Sequence, residues 1–166
     1  MARECKHFTA DLKRDSFKDD GSLTGYLAVT KTMDSDRDVF MPGAFNADVI
    51  DDFVKNGVLL VGHNWSEEPV GYPTKGAERD GGLWTEYDFH DTAKAQDQRK
   101  IAQQRLTAGK SVGLSIGFRA GETKSFDSVD DYQKFIKDEG LDLPMDGLGE
   151  GPMRAIKTVA RIYEGS

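Results

Sequence analysis

Ser115 sits in Val112-Gly113-Leu114-Ser115-Ile116-Gly117-Phe118, with a glycine two residues to either side. Alternation predicts a strand, with Val112, Leu114, Ile116 and Phe118 on one face and Gly113, Ser115, Gly117 and Arg119 on the other. Glycines within a strand often mark close approach of a ligand or another backbone. Here they would leave the hydroxyl uncrowded, as a nucleophile at the floor of an open site requires. On this stretch alone, a bulge or barrel corner with an incidental serine is the stronger reading.

A serine nucleophile needs a base. Three histidines are available. His7 lies in an alternating terminal stretch and His90 at the end of a strand before a helix cap, so both read as structural or surface residues. His63 ends an apolar run at Gly62 and enters a loop with Asn64 and Trp65, which is where a positioned imidazole would emerge. Glu164 is the third residue of interest. Ile156, Thr158, Ala160, Ile162 and Glu164 share one face of the last predicted strand, so the carboxylate continues an apolar face. Facing inward, it must find a partner or shift its pKa; at a fraying strand end it would simply reach water. The pattern alone leaves these two readings level.

Metal chemistry finds less support. Asp34, Asp36 and Asp38 open with the spacing of a calcium loop, but Val39 stands at the glycine position and Phe45 at that of the closing glutamate. Cys5-Lys6-His7 is half a tetrahedral site without a second half. No metal and no cofactor is expected.

Strands are predicted over Lys6–Lys13, Leu23–Thr32, Val58–His63, Pro69–Tyr72, Leu83–Phe89, the serine stretch and Ala155–Glu164. Helices are predicted at Val49, Ile50, Phe53 and Val54 with a stop at Gly57, from Asp91 or Thr92 to Gly109, and from Ser128 to Gly140. Leu141 to Pro152 is rich in glycine, proline and acid and predicts a mobile loop. No internal repeat or domain boundary is evident, so residues 1–166 read as one domain with a mobile insertion at 141–153.

The net charge of −7 and pI near 5.0 argue against a nucleic-acid groove or a membrane-surface patch. No apolar run approaches the roughly 20 residues of a membrane span. With one cysteine, Cys5, an internal disulfide is impossible and a reducing compartment is the natural setting. A soluble intracellular protein is expected.

Asp34 to Phe45, closing in Val39-Phe40-Met41-Pro42-Gly43-Ala44-Phe45, is followed by Gly62-His63, Val70-Gly71, Gly82-Leu83 and Gly113-Leu114-Ser115-Ile116-Gly117-Phe118. Together, in this order, these boxes resemble the tailed-phage prohead (procapsid maturation) proteases, a family related in fold to the herpesvirus assemblins. The likeness runs from about Gly25 to Phe118 and resumes from Ala155 to Ser166. It implies a mainly β, assemblin-like closed barrel flanked by about three helices. It also implies a serine endopeptidase with Ser115 as nucleophile, His63 as general base and Glu164 in the third role, since Glu164-Gly165-Ser166 fits the start of the family's late glutamate-x-serine pattern. Arg37 departs from the glycine that the family often has, and the sequence stops before the family's Pro-Ala segment, as a trimmed or processed terminus would.

The implied partners are capsid protein and scaffold segments as substrates, with self-cleavage and self-association, in the assembling procapsid within the host cytoplasm. Two other readings compete. A non-catalytic assembly protein could use the same barrel, and an aspartate of 34–38 could replace Glu164 in the third role. A small-molecule hydrolase with a nucleophile elbow fits poorly, because the serine box follows a helix rather than leading into one.

Overall fold

The helices begin where a short polar side chain can take a backbone N–H that has no partner in the first turn. In the computed structural model of the protein, which describes residues 4–34, 36–141 and 152–166, Asn46 accepts from the Val49 N–H ahead of α1 (Ala47–Asn56). Thr92, rather than Asp91, accepts from Ala95 ahead of α2 (Ala93–Thr107), and Ser128 accepts from Asp131 ahead of α3 (Val129–Asp138). Past the ends of α2 and α3, Gly109 and Gly140 take positive φ angles of 71° and 67°, a region that costs other residues free energy.

The main sheet has seven strands. In spatial order they are β1 (Glu4–Asp11), β7 (Gly113–Ala120), β10 (Val159–Gly165), β4 (Val58–Leu59), β5 (Gly71–Arg79), β6 (Gly82–Phe89) and β2 (Leu23–Val29). The sheet curls until β2, at one end, packs on β1 and β7 at the other. A Cβ on Gly25 of β2 would come within 2.5 Å of the Leu12 side chain. The result is a nearly closed barrel with three flanking helices, mainly β as expected. Its core includes Leu27, Phe53, Leu83, Tyr87, Ile116 and Ile162, each contributing on the order of 1.5–3 kcal/mol by burial. Phe40 packs its ring 5.0 Å from Phe45 and 5.1 Å from Phe118.

A second sheet, in the order β3 (Asp38–Phe40), β9 (Met153–Ile156) and β8 (Thr123–Phe126), shares a core with α3. Val39, Phe126, Tyr132, Phe135 and Met153 are buried there, and Leu141 packs against them.

Several expected boundaries move. The strand expected over Val58–His63 is only Val58–Leu59, and the stretch beyond it ends in a turn where Gly62 and His63 both take positive φ. β5 starts at Gly71 and runs to Arg79, well beyond the expected end at Tyr72. The last expected strand is two strands, β9 and β10, since the Lys157 and Thr158 N–H groups both donate to Glu122 O as the chain crosses between sheets. Simple alternation therefore fails there: Val159 is buried and Ala160 exposed. β8 has no counterpart among the predicted strands. Of the expected mobile stretch 141–153, residues 142–151 lie outside the described residues, while Leu141 and Met153 are packed.

Candidate active site

The order β7-β10-β4 sets the site. β10 runs antiparallel to β7, with Glu164 opposite Gly117 and Gly165 opposite Ile116. Beyond that ladder, the Ser115 and Ser166 backbones exchange two hydrogen bonds, N–H to O, of 2.8 and 2.9 Å. On its other edge β10 runs parallel to β4, with Glu164 beside Val58, and the Leu60 N–H donates to Gly165 O. The strand carrying the glutamate thus lies between the strand carrying the serine and the strand that leads to the histidine.

Across these strands three side chains meet. His63 Nε2 is 2.8 Å from Ser115 Oγ, and His63 Nδ1 is 2.5 Å from Glu164 Oε1. A carboxylate can only accept, so Nδ1–H donates to Glu164 and leaves the Nε2 lone pair to accept the Ser115 hydroxyl proton. The Glu164 side chain is 0% exposed, and a carboxylate removed from water needs such a partner. The arrangement provides a hydroxyl, a base beside it, and a fixed negative charge behind the base.

The backbone at His63 is held in an uncommon state. Its φ is 56°, and Gly62 before it is at 60°. A non-glycine residue in this region carries strain that the surroundings must outweigh. The His63 N–H donates to Ser166 Oγ at 2.8 Å, tying the strained residue to the end of β10. Sequence reading placed no role on Ser166; its spacing two residues after Glu164 was the available signal.

Gly117 has a different role from the one expected. It does not clear space for substrate. A Cβ there would lie 2.1 Å from Glu164 Oε1 and 2.8 Å from its Cδ, so the missing side chain is the volume the buried carboxylate occupies. Gly165 similarly makes room for Tyr87, whose hydroxyl would be 2.4 Å from an added Cβ. Burial, with a smaller contribution from the Glu164 charge, pushes the Tyr87 phenol far up, so it stays neutral beside the carboxylate.

The remaining sequence candidates lie in other settings. His90 donates its backbone N–H to Val70 O and packs its ring 5.3 Å from Tyr72. His7 is on β1, the strand paired with β7. Asp38, on the second sheet, takes the Arg154 guanidinium in two bonds, of 3.0 and 2.5 Å. Asp34 Oδ1 accepts the backbone N–H groups of Asp36 and Asp38. Among the described residues, no group of three His, Cys, Asp or Glu side chains gathers as metal ligands would. No helix among them is long and apolar enough to cross a membrane.

Beside Ser115 and His63 opens a cavity of about 440 Å³. The segments just outside β4 and β7 supply Leu60, Val61 and Val112 to its wall, and α2 supplies Ile101 and Ala102. Nothing in the sequence pattern pointed to it, because its walls come from segments far apart in the chain.

Residues 9–139 match the family described as caudovirus prohead serine protease. The prohead protease of Enterobacteria phage HK97 is 31% identical over 110 residues, covering 66% of this chain. The chain spans 46% of that relative's length. The structure of the bacteriophage T4 capsid assembly protease, gp21, aligns at a TM-score of 0.43 and 9% identity, over 87% of this chain and 82% of that one. With the family's pattern matched over residues 9–139, most of this sequence, the chain belongs to the caudovirus prohead serine protease family.

Proposed function

We propose that this chain is a serine endopeptidase that cuts capsid and scaffold polypeptides, and itself, within an assembling procapsid. The observation that carries the reading is His63 lying within hydrogen-bond reach of both Ser115 and Glu164, at 2.8 and 2.5 Å. Membership of the prohead serine protease family supports the substrate class, as does the name of the HK97 relative, a prohead protease.

In this mechanism Ser115 Oγ attacks the scissile carbonyl carbon as its proton passes to His63 Nε2. A C–O bond forms and the carbonyl oxygen takes the charge. When the tetrahedral intermediate collapses, the C–N bond breaks and the leaving amine takes the proton from Nε2. Water then enters, gives a proton to His63, and attacks the acyl-enzyme; Ser115 leaves with that proton. Glu164 keeps Nδ1 protonated throughout and favours the imidazolium that forms transiently. It is fully buried, so little solvent screens this effect.

Labelling with a fluorophosphonate tests the reading directly. Ser115 should be modified in the unsubstituted protein and left unmodified in His63→Ala. Equal labelling of both proteins would remove the base from the mechanism, and no labelling of either would end the protease reading.

A second prediction follows from Gly117. In Gly117→Ala the new methyl must displace the Glu164 carboxylate, which it would otherwise approach to 2.1 Å. The expected cost is roughly 1–3 kcal/mol of stability. Labelling of Ser115 should also slow by about 100-fold, because a displacement near 1 Å in a catalytic group is felt that strongly. Urea unfolding and labelling rates measure the two effects. A folded Gly117→Ala protein labelled at the original rate would show that Glu164 need not hold its position.

A further inference from the structure

We propose that the cavity beside Ser115 is a substrate subsite that takes an apolar side chain flanking the scissile bond. This rests on the endopeptidase reading and adds a specificity to it.

Continuity with the chemistry is the first argument. Ser115, His63 and Ser166 form part of the cavity wall, so a polypeptide whose carbonyl reaches Ser115 passes its neighbouring side chains over the opening. A volume of about 440 Å³ falls within the range of cavities that enclose organic ligands and accommodates a leucine, methionine or phenylalanine side chain.

Exposure is the second. Val61 and Ile101 are 44% and 47% exposed, and both line this cavity. Ile101 is the more telling, because its neighbours three and four residues away on α2 are Asp97, Gln98, Gln104 and Arg105 and the helix anchors itself to the core elsewhere, through Ala95 and Leu106. The half of the isoleucine left in water adds nothing to folding; covered by a ligand, that apolar surface contributes to binding. Leu60 and Val112 continue the apolar wall from the sheet side.

Charge is the third. Apart from the site's own Ser115, His63 and Ser166, the polar side chains lining the cavity are Gln98 and Arg105, and Arg105 donates to Ser111 O at 3.4 Å. A lysine or arginine from the substrate would be desolvated there beside a positive charge. An acidic side chain is the rival occupant, through Arg105. It would then face the apolar walls that make up most of the lining.

The test uses the full chain with a diverse peptide mixture, cleavage sites being read by mass spectrometry. One position flanking the cut should favour leucine, methionine or phenylalanine over alanine by at least about tenfold, as apolar pockets discriminate. Ile101→Asp, at an exposed helix position, and Ala102→Trp, which fills the cavity, should each erase that preference. Labelling by a fluorophosphonate bearing only a short alkoxy group should stay unchanged in both. Cleavage without an apolar preference, a preference for acidic residues, or an apolar preference that survives both substitutions would overturn the subsite while leaving the protease intact. Failure of the unsubstituted protein to label would overturn the endopeptidase reading, and the subsite with it.

Discussion

Ser115→Ala is expected to lower peptide-bond cleavage by about a million-fold, the scale seen when a serine protease loses its nucleophile. Stability should barely change. The lost atom is one hydroxyl oxygen, and the backbone bonds that Ser115 exchanges with Ser166 do not involve it. His63 would lose one hydrogen-bond partner but keep Glu164. Co-expression with the cognate capsid and scaffold proteins, followed by electrophoresis of the products, supplies the measurement, with unfolding curves recorded in parallel. Normal processing by a folded Ser115→Ala protein would eliminate Ser115 as the nucleophile.

Glu164→Gln is the second large effect. The substitution keeps the volume that Gly117 leaves free, so the fold should persist. It replaces the acceptor facing His63 Nδ1 with an amide that can present an N–H. That orientation favours the tautomer with its proton on Nε2, which cannot accept the Ser115 proton. The corresponding aspartate-to-asparagine change in a well-studied serine protease costs about 10,000-fold in kcat, and a loss of that order is expected here. Fluorophosphonate acylation rates measure it, with Asp34→Asn, Asp36→Asn and Asp38→Asn as companions. Those three should acylate normally. Asp38 is held by Arg154 on the second sheet, and Asp34 by nearby backbone N–H groups, whereas Glu164 lies 2.5 Å from the imidazole. Collapse in an aspartate variant with near-normal Glu164→Gln would transfer the role.

Local features of the chain were legible because they depend on neighbours in sequence. Helix caps at Thr92 and Ser128 and stops at Gly57, Gly109 and Gly140 reflect backbone groups that must find partners within a turn or two. The serine strand was legible for the same reason, since alternation and flanking glycines are local properties. Where the chain crosses between sheets, at Lys157 and Thr158, the partner is Glu122, 35 and 36 residues earlier, and the alternation rule broke down.

The residue types Ser115, His63 and Glu164 could be picked out from pattern and resemblance, but pattern alone left Glu164 balanced between a buried partner and a frayed end. Sheet order decided it: β10 between β7 and β4 buries the carboxylate completely and aims it at His63. Sheet order also explains Gly117, whose missing side chain serves a residue 47 positions away rather than the adjacent serine. The apolar cavity belongs to the same class, since its wall joins α2 to strand ends from across the chain. A sequence states which side chains prefer to be buried and which backbone turns are allowed. Which of them share a wall depends on long-range pairing, whose free energy comes from many weak contacts that no short window contains.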